Sequence, residues 1–289
     1  MLNIIDSIHK KYFPEFILSI NLISRNCSSS NINEDNINED NINNQNKFNI
    51  HLQNICSYDF KNFNFIYNTE QLSIKRWIEL ISKLSYNYTI FDYSLYNIEL
   101  LKNINPSCYS IFFPILFDKQ NMLFENNNLN KIYDISFIGS LTQRRSFIID
   151  QLKNKGYTIN IINDCYDFKD KYNKILSSKI LLNIHAHNDY KIFEFARCSI
   201  PIFNSQIVIS ENSLDNESVL DKNISKDKIN INDYILDKVI FSNYDKIIDK
   251  VEDVLNNIDR YEYKIDIKEL EYYNDKEINR LNNFFKSFK

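Results

Sequence analysis

The sequence predicts an α/β protein made of two domains, each built on a parallel sheet. Three observations lead there. Short β-rich runs alternate with helix-length amphipathic runs along most of the chain, which is the pattern of βαβ units. A polar tract, ENNNLN at 125–130, divides that alternation into two halves. With 289 residues, 44% of them hydrophobic, the chain can fill one large core or two of modest size.

Along the first half, 28–46 reads SSSNINEDNINEDNINNQN, a polar low-complexity tract with a NINED echo, expected as a solvated loop. Strands are expected at 63–67, 88–91 and 109–113, with helices at 74–84 and 94–103 between them. The second half is clearer. A strand at 133–138 ends in Gly139-Ser140. A helix at 144–155 follows, with Phe147, Ile148, Ile149 and Leu152 able to face a core, and Gly156 stops it as a C-cap glycine. Next come a strand at 157–162, a helix at 167–178 and a buried strand at 179–184. A helix at 190–199 has Ile192, Phe193, Ala196 and Ser199 near one face. Short strands at 201–204, 206–210 and 239–241 follow, separated by a charged stretch without periodicity at 215–232. The helix at 243–258 carries Ile247, Ile248, Val251, Val254 and Leu255 at 3–4 spacing. The tail, 269–288, is amphipathic and helical, able to cross back onto the first domain. The expected organisation is a Rossmann-like first domain at 1–124, a linker at 125–130, a Rossmann-like second domain at 131–262 and a helical tail at 263–289.

Composition excludes several functions. Only Gly139 and Gly156 are glycines, where average usage would give roughly twenty. Seventeen residues apart, they can write neither a P-loop nor a dinucleotide fingerprint. The excess of Asn, Ile, Lys, Tyr and Phe and the scarcity of Gly, Ala, Pro and Arg follow AT-rich codon usage, so abundant asparagine carries no functional message. A net charge of −4 argues against a nucleic-acid partner, whose phosphates need a basic surface. No apolar run approaches a membrane span, and Asp6 and Glu15 interrupt the N-terminal stretch where a signal sequence would be apolar. Five scattered cysteines without a CxxC pair read as reduced thiols in a cytoplasmic protein.

Ligands of open α/β sheets sit beyond the carboxyl ends of the strands, so polar residues following strands are the candidates. In FIGSLTQRR, Gly139 lets a ligand approach the backbone, Ser140 opens the turn, and the next helix offers free N–H groups beside Arg144 and Arg145. That combination suits a phosphate or diphosphate; a tight turn with solvated arginines is the structural alternative. In NIHAH, Asn183, His185 and His187 lie where a buried strand meets a loop, and the two histidines, at i and i+2 on an extended segment, are expected to point the same way. Lacking further ligands at recognisable spacing, they read as hydrogen-bonding residues rather than a metal site. Glu194 is either a ribose acceptor or a glutamate favouring its helix dipole. Glu211, Glu70-Gln71 and Asp92-Tyr93-Ser94 also follow strands, as catalytic bases or hydroxyl acceptors, or as turn and cap residues. No D-x-D or G-x-S-x-G motif occurs.

The stretches YDISFIGSLTQRRSFIIDQLKNKGYTINII, SKILLNIHAHNDYKIFEFARCSIPIFNSQIVISE and VIFSNYDKIIDKVEDVLNN, with FIYNTEQL and TIFDYSLYNIELL upstream, together resemble glycosyltransferases of the GT-B type, and in particular proteins with the glycosyl-transferases-group-1-like C-terminal domain. The resemblance covers roughly 62–257. It implies two Rossmann-like domains facing a cleft, a nucleotide-sugar donor on the second, and a carbohydrate, protein or lipid acceptor on the first, with no metal or other cofactor. By resemblance, Gly139, Ser140, Arg144 and Arg145 meet the donor diphosphate and Glu194 holds the ribose. Asn183, His185 and Arg197 line the same pocket, and Glu211 its far side. Glu70 is the candidate base. The sequence departs from the general pattern at Ala186, where a second glutamate is usual, and at Cys198-Ser199-Ile200, where a glycine-containing segment is usual. A non-catalytic nucleotide- or sugar-binding module with the same fold is the alternative. A methyltransferase is disfavoured because its glycine-rich cofactor loop is missing.

Overall fold

Two five-stranded sheets, parallel at every described pairing, organise the chain. The computed structural model describes residues 17–21, 47–52, 63–119, 130–163, 167–217 and 229–287. It divides the chain into two units, Met1–Pro114 with Ile278–Lys289, and Ile115–Glu277. The expected loop at 28–46, and residues 125–129 of the expected linker, lie outside the described residues.

In the first unit the strands are β1 (Ile17–Asn21), β2 (Lys47–Leu52), β3 (Phe63–Asn68), β4 (Thr89–Asp92) and β5 (Ser110–Phe112), side by side in sequence order. The first two were not foreseen. Helices α1 (Lys75–Leu84) and α2 (Leu95–Ile104) connect β3, β4 and β5. Side chains alternate across a strand, and both faces are used. Ile66 and Ile90 join Leu72, Ile81, Leu101 and Cys108 in one cluster. Phe65 and Phe91, on the alternate positions, stack at 4.9 Å. Phe284 and Phe285 meet them edge-on; they belong to the long helix α9 (Ile267–Lys286), whose earlier residues are part of the second unit. A strict sequential order contains no reversal, so this sheet opens no crevice of the switch-point kind among its described strands.

The second unit runs β6 (Tyr133–Ile138), α3 (Gln143–Asn154), β7 (Ile159–Ile162), α4 (Phe168–Leu176), β8 (Ser178–Asn183), α5 (Phe195–Phe203), β9 (Ile207–Glu211), α6 (Leu214–Glu217), α7 (Ile231–Asp237), β10 (Val239–Ser242) and α8 (Ile247–Asn256). Its sheet order is β10-β9-β8-β6-β7. The winding therefore reverses between β6 and β8, which makes their carboxyl ends the topological switch point of the sheet. Ile135, Phe137, Ile180, Leu182, Ile207 and Ile209 from the strands close one core with Ile148, Ile149 and Leu152 of α3 and Val251 and Val254 of α8. The unit begins before the 125–130 tract because Ile115, Leu116 and Phe117 are already buried in it. Phe117 lies edge-on to Phe203, and its amide donates to Asn274 Oδ1.

Several expected elements need correction. The helix expected at 190–199 begins only at Phe195, with Ala196 exposed, and runs to Phe203. The strand expected at 201–204 is therefore mostly its last turn, with Pro201 inside it. A short, fully apolar run has no period to separate buried helix from buried strand. Within 215–232, α7 starts at Ile231 under a reciprocal cap in which Asn230 and Asp233 exchange side-chain to backbone bonds. The helix expected from 243 opens with a 3-10 turn, Tyr244–Lys246.

Phe147 does not face the core: it is 57% exposed. The buried positions of α3 are Arg145, Ile148, Ile149 and Leu152, spaced i, i+3, i+4, i+7. An arginine therefore takes the first inward position of the stripe and the phenylalanine lies outside it. Phe147→Ser is expected to leave stability within about 0.5 kcal/mol of the parent, measured by urea unfolding.

Both glycines have positive φ, +116° at Gly139 and +93° at Gly156. Gly156 follows the C-cap residue of α3, as expected. Ser205, at φ +52°, follows the C-cap of α5 in the conformation that glycine usually supplies.

Candidate functional site

Beyond the carboxyl ends of β6 and β8, two loops come together. The first carries Gly139 to Thr142 into α3. Thr142 caps that helix by accepting from the Arg145 amide, and its hydroxyl donates to the Ala186 carbonyl at 2.9 Å in the second loop. Ser140 is exposed, and its carbonyl accepts from Arg145 Nη1 at 3.1 Å.

Arg145 is only 3% exposed. Its Nε donates to the Ile184 carbonyl at 2.9 Å, and its head lies 5.5 Å from the centre of the Phe137 ring. Among the described residues it forms no salt bridge. Arg197, in the first turn of α5, donates to Asn183 Oδ1 at 2.7 Å and stands 3.8 Å from Glu194 Oε2. Asn183 is in turn oriented by donating to Ser210 Oγ at 3.0 Å. The two guanidinium heads converge on Gly139: a methyl group there would lie 3.3 Å from Arg145 Nη1 and 3.4 Å from Arg197 Nη2. Burial, and then the like charge of Arg197, push the Arg145 guanidinium down to about 10.

Arg144 points elsewhere. It forms a two-pronged pair with Glu211, whose Oε2 it meets at 2.6 Å. It also donates to Asn188 Oδ1 at 2.8 Å and to the His185 carbonyl at 3.1 Å. Its guanidinium lies over the Tyr244 ring at 3.7 Å. Glu211 also accepts the His185 amide at 3.1 Å. It is the last residue of β9 rather than the first beyond it.

His185 is 1% exposed and His187 is exposed, so the two do not share an orientation. His185 Nε2 lies 3.1 Å from the Asn212 carbonyl. A carbonyl only accepts, so Nε2 carries the proton and the buried, unpartnered Nδ1 presents a lone pair. Burial holds the imidazole below the usual histidine range, with Glu211 opposing. An unfolded histidine therefore takes up its proton at a higher pH than the folded one. Stability contributed by the neutral ring is present above the unfolded value and is lost as pH falls from about 6.5 toward the folded value. His185→Gln is expected to flatten the fall in melting temperature between about pH 7.5 and 5, read by thermal unfolding across that range.

The structure thus brings eight of the residues singled out in the second half into one neighbourhood: Gly139, Ser140, Arg144, Arg145, Asn183, His185, Arg197 and Glu211, with Glu194 at its edge beside Arg197. Tyr244, Asn188 and Thr142 were not foreseen. Tyr244 lies 100 residues from the arginine whose carbonyl it binds, beyond the reach of any local pattern. No group of three or more His, Cys, Asp or Glu residues placed to hold a metal occurs among the described residues.

In the first unit, Glu70 follows β3 in a loop whose backbone is pinned. Its amide donates to Asn68 Oδ1, and its carbonyl accepts from Asn68 and Asn97. Asp92, at the end of β4, is buried and accepts from Asn68, Asn97 and the Ser94 amide at 2.6, 3.0 and 2.9 Å. Ser94 caps α2. Asp92 and Ser94 therefore have turn-holding and capping work, and Glu70 is half-buried at a fixed backbone position.

No family model matches the chain. It is similar to proteins of Acanthamoeba polyphaga mimivirus described only as uncharacterized. One is 35% identical over 197 residues, 68% of this chain and 64% of that protein. Another is 31% identical over 202 residues, 68% of this chain and 61% of that protein. A third is 32% identical over 196 residues, 66% of this chain and 25% of a much longer protein. The chain spans less than two thirds of each of these relatives. Among the described residues, no helix is long and apolar enough to cross a membrane.

Proposed function

We propose that the switch point beyond the carboxyl ends of β6 and β8 binds the diphosphate of a nucleotide sugar, and that the chain is a metal-independent glycosyltransferase of the GT-B type. The observation that carries this reading is the convergence of Arg145 and Arg197 on Gly139. Two guanidinium groups repel each other, and one of them, Arg145, is buried and forms no salt bridge among the described residues. An anion between them would relieve both costs. The position adds support, because a switch point beside a helix N-terminus favours phosphate. Glu194, 3.8 Å from Arg197, is the residue to which the resemblance gives the ribose.

In this mechanism an acceptor hydroxyl attacks the anomeric carbon while its bond to the diphosphate oxygen breaks. Negative charge grows on the departing diphosphate. Arg145, Arg197 and the free N–H groups at the start of α3 stabilise it most when it is fully developed, which is the condition for accelerating the step. By the resemblance alone, Glu70 is the candidate for the base that takes the hydroxyl proton.

The test is transfer and donor hydrolysis across a panel of nucleotide sugars, with Arg145→Ala and Glu194→Ala beside the parent. Turnover lost in both supports the assignment; turnover unchanged in both defeats it. Nucleoside diphosphate binding without turnover would instead assign a non-catalytic binding module.

A further inference from the structure

We infer that Arg144, Glu211 and Tyr244 form a strut that positions the anion site without touching its ligand. The inference rests on the anion-site reading above. An arginine has five N–H donors, and four of those of Arg144 are spent inside the chain, on Asn188, on the His185 carbonyl and on both oxygens of Glu211. One face of its guanidinium is closed by Tyr244, whose hydroxyl also donates to the Arg144 carbonyl at 2.8 Å. A phosphate binding Arg144 in the two-pronged manner would first have to displace a largely desolvated carboxylate.

The strut acts on the loop after β8. Four backbone groups in three consecutive residues are bound by side chains from the start of α3 or the end of β9. The Ile184 carbonyl accepts from Arg145, the His185 amide donates to Glu211, the His185 carbonyl accepts from Arg144, and the Ala186 carbonyl accepts from Thr142. The anchor of Arg145 is therefore one residue from the anchor of Glu211. Loosening the Arg144–Glu211 pair frees the peptide that holds the Arg145 head at Gly139. Arg144 and Glu211 carry opposite charges, yet as positioning residues both are needed in the same sense.

That difference is measurable. Binding of inorganic pyrophosphate and of nucleoside diphosphates to the full chain is followed by calorimetry for the parent, Arg144→Met and Glu211→Gln. A strut predicts that both variants bind about tenfold more weakly, as when a supporting residue is removed from a preorganised site. Direct electrostatic contact predicts opposite signs, with Glu211→Gln binding more tightly because a negative charge has gone; that result overturns the inference. Hydrogen exchange of the His185 amide without ligand supplies a second arm. Faster exchange in both variants is expected, and unchanged exchange also overturns the strut. A parent chain that binds neither probe overturns the anion reading itself. The exchange arm then decides the strut alone, faster exchange supporting it.

Discussion

Arg145→Met is expected to weaken anion binding strongly while leaving the fold intact. Methionine fills a similar volume on the inward stripe of α3, near the Phe137 ring. It removes a buried cation whose ionisation burial and Arg197 both oppose. It also leaves the Ile184 and Ser140 carbonyls without their donor, a cost of about 1–3 kcal/mol for each that stays dry. These two changes oppose each other, so the melting temperature should move little. Binding has no such compensation. Losing one forked, charge-assisted contact at a desolvated site should weaken pyrophosphate or nucleoside diphosphate binding by about two orders of magnitude. Calorimetry and thermal unfolding on the same preparations check both halves. A large fall in melting temperature with unchanged affinity would make Arg145 a structural residue and remove the anion site.

Gly139→Ala is expected to fail in both respects, for two separable reasons. At φ +116° any Cβ is strained, at a cost of about 1–3 kcal/mol. The added methyl would also press on both guanidinium heads, 3.3 and 3.4 Å away, and so occupy the space assigned to the anion. Gly156→Ala isolates the first effect, since φ is +93° there and nothing lies within 4 Å of the added carbon. Both variants should lose stability in urea unfolding, and only Gly139→Ala should lose anion binding. Equal binding in the two would leave Gly139 with a backbone role alone.

Much of this was legible in the sequence because it is local. The α/β alternation, the strand at 133–138, the helix stopped by Gly156 and the loop opened by Gly139 all follow from period, propensity and one special residue. The inward arginine was legible too. Arg145, Ile148, Ile149 and Leu152 stand at helical spacing, and Phe147, although apolar, falls outside that stripe. Other features depend on partners far along the chain. The pairing of Arg144 with Glu211 crosses 67 residues and the Tyr244 contact crosses 100. Nothing in the FIGSLTQRR segment tells which arginine turns toward Gly139 and which toward a carboxylate. Pro201 misled for a physical reason as well. It lies in the last turn of a nine-residue helix, where Phe195 through Phe203 include seven buried residues and little periodic contrast.

The division of α9 between the units has a consequence for the time course of synthesis. Phe284 and Phe285 cover Phe65 and Phe91, yet all of Ile115–Glu277 is made in between. At ordinary ribosomal speed that interval is roughly ten to thirty seconds. For that time the first sheet waits with an aromatic face uncovered, and the second unit can finish folding before the first.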